Sequence, residues 1–450
     1  MNEYHLARAL DEEAFEEVEE ARGIEEAISS PRRWTEAIIV FLGALGIQRL
    51  ASLMPGMVER VYSNFFYYYL ARIVSAFNRL VGVSLAEIGL IILVVALVLW
   101  LAWLVQKVWN GFINPFELLL YLLYRGLWAG GIGMLLFFVL WGFNYQRLPV
   151  AESLNIVGTE TQPGELENVC SQMISRLNEN YQLASASQNW TNESALPVTQ
   201  SRLYQVIEQS FQRSQLLGQA GQGGFGAPKP LFLSGVLTRL GISGVFSPFT
   251  GEANYNQEVP PSDLPFVIAH EKAHQRGWAR EDEASFISFV VCTNSGDPFV
   301  RYSGYLQALP KLMQVLRRTN ESEYTVLRAR IGEGPLRDLA SRAQFWTFRE
   351  NPILGAAARQ TNNTYLRANR VRSGIANYDE VTSLIIGYYQ RYPNGDSSSP
   401  APLVNDPPMV AGETATGPRV VATPLVNASP VPLASPLVTA EAPRDNGFIP

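Results

Sequence analysis

Eighteen consecutive residues, Ile88 to Val105, carry no charge, and Gly126 to Phe143 form a second such run. Each is long enough to cross the hydrocarbon core of a bilayer, which needs about 17 to 25 residues. Trp100, Trp103, Trp141 and Tyr145 lie toward the segment ends, where an aromatic belt belongs. A third run, Ala37 to Met54, is interrupted by Gln48 and Arg49, and Arg49 can snorkel toward the interface. The expected spans are 35–54, 86–106 and 122–143. Residues 61–80 alternate aromatics with Arg72 and Arg79, which predicts a helix lying in the interface.

The remaining chain divides by composition. Residues 1–33 form an acidic leader, with Glu16, Glu17, Glu19 and Glu20 at its centre, expected to be disordered or partly helical. Residues 34–147 are the membrane region. Residues 148–393 read as one mainly α domain, and 394–450 as a proline-rich disordered tail in which Pro-Leu-Val recurs. The net charge of −6 and the lack of a basic patch exclude nucleic acid as a partner. The expected partners are a lipid bilayer and a peptide or protein substrate. Arg32 and Arg33 before the first span favour a cytoplasmic N-terminus, which puts the large domain outside. Cys170 and Cys292 can be one disulfide or two buried thiols.

Helical periodicity marks 166–180, 201–217, 265–276, 302–318, 335–350 and 378–392, and strand character marks 235–237 and 244–246. Gly221 to Gly226 fits G-x-G-x-x-G, but it follows a helix and precedes Pro228, so it reads as a loop, not a nucleotide site.

The chemistry is concentrated in His270-Glu271-Lys272-Ala273-His274. The chain has three histidines, and two are here, four apart, on one face of a predicted helix. Such a pair can hold Zn2+, with Glu271 beside it as general base toward water. Asp263 is the expected N-cap, Pro265 a first-turn residue and Gly277 the stop. His5 precedes the membrane, so the third ligand should be a carboxylate. Glu281 is the first choice; Glu283 and Glu252 are the alternatives. Tyr365, Arg367 and Tyr378 are candidate oxyanion stabilisers. The resulting expectation is a membrane-anchored zinc metallopeptidase. The alternative is a non-catalytic membrane protein that uses the same shell as a binding or signalling module.

The motifs His270 to Phe286 (HExxHQxG…ExEAxF), Gly142 to Tyr145, Pro248 to Asn254, Asn363 to Asn369 and Asn377-Tyr378 have a family likeness. Over residues 34–392 the chain resembles an uncharacterised family of bacterial polytopic membrane proteins with a zincin-like domain. Ser285 stands where that family is expected to have Asn. The resemblance implies an α+β, gluzincin-like metallopeptidase domain carried on transmembrane helices in the bacterial cell membrane. It implies no particular substrate.

Overall fold

The computed structural model describes residues 17–154, 156, 164–188, 196, 199–369 and 378–395. The first half of the acidic leader, His5 and nearly all of the proline-rich tail lie outside these residues, and so does the side chain of Tyr378.

Three helices are long and apolar enough to cross a membrane: α1 (Pro31–Ser52), α3 (Leu85–Trp109) and α4 (Pro115–Leu140). Local caps set their limits. Ser84 accepts from the Glu87 N–H and starts α3. Asn114 and Glu117 form a capping box around Pro115, so α4 begins seven residues before the expected 122. It ends at Leu140, and Gly142–Gln146 tightens into a 3-10 turn. The segment expected to lie in the interface is a π-helix, Val58–Tyr67, running into α2 (Tyr68–Asn78). One side of α2 buries Tyr68, Ala71, Ser75 and Asn78, while Tyr69, Ile73 and Phe77 remain exposed.

Beyond the spans the described chain is mainly helical. The chief elements are α5 (Glu165–Gln188), α6 (Gln200–Arg213), α7 (Leu264–Gln275), α8 (Glu281–Thr293) and α9 (Pro298–Thr319). They are followed by α10 (Glu333–Arg349), α11 (Pro352–Ala368) and α12 (Tyr378–Arg391). One apolar core gathers residues from Val150 to Tyr392. Cys170 and Cys292 are separate buried thiols within it, which sets the disulfide aside.

A three-stranded sheet, ordered β1-β3-β2, lies beside this core: β1 (Lys229–Leu231), β2 (Gly244–Ser247) and β3 (Glu252–Asn256). β3 is parallel to β1 and antiparallel to β2, and all five of its residues are buried. The expected strand at 235–237 is instead part of a helix, Ser234–Arg239. A short apolar run carries no periodicity that separates the two, and here Val236 is half exposed on the surface.

The sheet is stitched to the membrane helices. Glu252 accepts from the N–H groups of Leu85 and Ala86, at 3.1 and 2.7 Å, and pairs with Lys229. Glu87 accepts from the N–H groups of Phe232 and Leu233, at 2.9 and 2.7 Å. Gln48 of α1 donates to the Ala368 carbonyl. At the other end of α3, Lys107 pairs with Glu20 of the leader at 2.8 Å. The leader and the large domain therefore lie at opposite ends of the spans.

Candidate metal centre

α7 is helical because Pro265 tolerates the first turn and Phe266 to Ala269 are buried against the core. It stops at Gly277, whose φ of +93° is costly for a residue with a Cβ. The Gly277 N–H closes on the His274 carbonyl and the Trp278 N–H on that of Ala273. Asp263 occupies the N-cap position without capping through its side chain. Its carboxylate pairs instead with Arg342 at 3.3 Å, a partner far off in sequence.

The imidazoles of His270 and His274 meet on one face, Nε2 to Nε2 at 3.1 Å. Glu281, the first residue of α8, brings its Oε2 to 3.1 Å from His270 Nε2 and 3.6 Å from His274 Nε2. The Trp278 carbonyl can only accept, so His274 Nδ1 carries a hydrogen and donates to it at 2.7 Å. When the ring is neutral, this leaves the His274 Nε2 lone pair facing its two neighbours. Ser285 Oγ is 3.5 Å from His270 Nδ1. A tetrahedral zinc site with bonds of about 2.0–2.1 Å has ligand atoms about 3.3 Å apart. The donor set and its spacing fit such an ion.

The titration of these groups reflects their crowding. Burial pushes the Glu271 carboxyl up to about 8. Burial also opposes protonation of His274, but the hydrogen bond and charge of Glu281 outweigh it and raise His274 to about 9. Burial disfavours the Glu281 carboxylate, yet the two imidazoles hold it well below the usual range. His270 is lowered by burial. Glu281 is only partly buried, keeping 44% of its side chain exposed.

Glu281 is therefore brought to the histidines, and the alternatives are not. Glu283 turns away, accepting from the Val150 N–H at 2.9 Å and from Arg280 at 3.2 Å. Glu252 is taken up by α3 and Lys229. Arg367 is exposed on α11. Tyr365 does lie near the centre. It hydrogen-bonds the buried Tyr145, and both phenols feel the Glu281 charge.

The sequence reading did not find the residues that support α7 from the membrane side. Trp141 Nε1 donates to the His274 carbonyl at 3.0 Å, and Tyr67 to that of Gln275 at 2.9 Å. Arg147 donates to the Gly277 carbonyl at 3.1 Å while holding Glu59 in a two-pronged ion pair. These groups add donors to carbonyls at and just past the end of α7. Gly244 was also missed as a site residue. A Cβ there would stand 2.6 Å from Glu271 Oε1. The sequence signals were the Gly142 to Tyr145 motif, flanked by Trp141 and Arg147, and the expected strand at 244–246, which opens on Gly244.

A family model described as Protein of unknown function (DUF3810) matches residues 62–386. Neither a curated protein nor a solved structure matches the chain.

Proposed function

The chain belongs to that family, whose description carries no activity, and we propose that it is a membrane-anchored, zinc-dependent peptidase of the zincin type. One observation carries the proposal: ligand atoms of His270, His274 and Glu281 lie within 4.8 Å of one another, and the Glu271 carboxylate is near enough to feel the charges of His274 and Glu281. In this reading α7, α8 and the three-stranded sheet form the zincin-like unit, and β2 is the edge on which an extended peptide lies. A zinc ion held there would supply Lewis-acid polarisation and make a water more acidic.

The chain's own groups do the rest. Glu271 takes a proton from the attacking water and passes it to the leaving amine nitrogen. Its raised affinity for protons suits the second task. A held cation would draw it back toward the ionised form needed for the first. Tyr145 and Tyr365 keep their protons at neutral pH, Tyr365 being pushed up to about 12 by burial; Tyr145 spends its O–H on Tyr365, which leaves the Tyr365 O–H to donate to charge developing on the substrate carbonyl oxygen. The Trp278 carbonyl keeps His274 in the tautomer that presents Nε2. The positive residues Arg32 and Arg33 near the start of α1 favour a location of the domain outside the cell.

The test uses the full chain purified in lipid and loaded with zinc. His270→Ala should lose bound zinc and cleavage together. Glu271→Gln should keep zinc and lose cleavage of a mixed peptide pool. Undiminished cleavage by Glu271→Gln would remove the proposed base.

A further inference from the structure

Strand β2 runs from Glu271 toward the ends of α3 and α4. Its first residue, Gly244, packs against the Glu271 carboxylate. Two residues on, Phe246 stacks near Trp141 and His274, with ring centroids 5.2 and 6.5 Å away. Trp141 follows directly on α4. The last residue, Ser247, is in register with Glu252, which holds the N–H groups that open α3. The turn after Ser247 then rests on α2: its Asn78 donates to the Thr250 carbonyl, and a Cβ on Gly251 would meet Val74. At a strand rise of roughly 3.3 Å per residue, Gly244 stands about 10 Å along the strand from Ser247, the residue in register with Glu252.

The outer edge of β2 is available. It is an end strand among the described residues. The Asn256 N–H donates to the Ser243 carbonyl at 2.9 Å. Alternation along an antiparallel pair then turns the N–H and C=O groups of Gly244 and Phe246 outward. Val245 and Phe249 leave apolar side chains exposed beside this edge.

We infer that the substrate is itself anchored in the bilayer, and that it is cut in the extended segment by which it leaves the membrane. This inference rests on the peptidase reading above. A chain emerging from the bilayer adds to β2 at its membrane end, follows it for the length of the strand and delivers a peptide bond to Glu271 and the histidines. β2 thus acts as a ruler, so cuts fall at a set distance from the membrane.

The experiment uses the zinc-loaded full chain in vesicles. One substrate is a mixed-sequence peptide pool free in solution. The other is the same pool fused to a polyleucine span in the same vesicles. The anchored pool should be cut roughly tenfold faster or more, the order of gain that confinement to one surface brings. Mass spectrometry should place its cuts about three to five residues outside the span. Equal rates for the two pools, or cuts scattered along the anchored one, would overturn the inference while leaving a chelator-sensitive peptidase in place. No cleavage of either pool would overturn the peptidase reading and this inference with it.

Discussion

At the scale of single residues, the site depends on one missing side chain. Gly244 faces Glu271 so closely that any Cβ must displace the carboxylate. The imidazoles are held from other directions, His274 by the Trp278 carbonyl and His270 by its contacts with Glu281 and Ser285. Gly244→Ala should therefore lower kcat by about 10²-fold, the effect expected of a reacting group moved by an ångström. Zinc content should stay at the wild-type level. Loss of zinc in that variant, measured on purified protein, would show that Gly244 supports the ligands instead.

At the scale of elements, α7 ends on donors from the membrane region. Arg147 is one such donor and serves two acceptors at once, the Gly277 carbonyl and the buried Glu59. Removing one partner of a buried ion pair costs about 3–5 kcal/mol, because the other charge is left without compensation. Arg147→Met should lower the unfolding midpoint accordingly. Adding Glu59→Gln should recover much of the loss, since the stranded charge goes with it. A double variant no more stable than the single one, by thermal melts in lipid, would count against this account. Cleavage should stay impaired in both, as the Gly277 carbonyl keeps no donor from this side chain.

At the scale of the whole molecule, the large domain and α2 are joined around a buried charge cluster. Glu208 of α6 pairs with Lys272 at 2.9 Å and Arg276 at 2.7 Å on the face of α7 away from the histidines. Arg276 lies between the rings of Phe211 and Phe225, and Lys272 also donates to the Gly226 carbonyl at the end of the glycine-rich loop. The neighbouring Gly224 carbonyl accepts from Arg79, just past α2. Burial alone would raise the Glu208 pKa, but Arg276 and Lys272 reverse this and lower it to about 2, from 4.5. A lowered carboxylate pKa stabilises the fold above its unfolded value, and that stability is lost as pH falls through the folded one. The amount is on the order of 3 kcal/mol. Melting midpoints should therefore decline between pH 4.5 and about 2, and Glu208→Gln should flatten that decline. An unchanged acid profile in the variant would assign the decline to other carboxylates.

What the sequence determined by itself was local. Four-residue spacing put two imidazoles on one helix face, uncharged runs marked the spans, and a glutamate just past the glycine stop fell within reach of the pair. Each follows from helix geometry or from the thickness of a bilayer, both of which act over a few turns of chain. Tertiary structure decided everything that joins distant segments. It tied Glu252 to a membrane helix, placed Tyr145 beside Tyr365, and brought Trp141, Tyr67 and Arg147 under the end of α7. No periodicity encodes such pairings. They arise because buried carbonyls and charges must find partners once the core has closed, and the closing of the core sets which groups are near enough to serve.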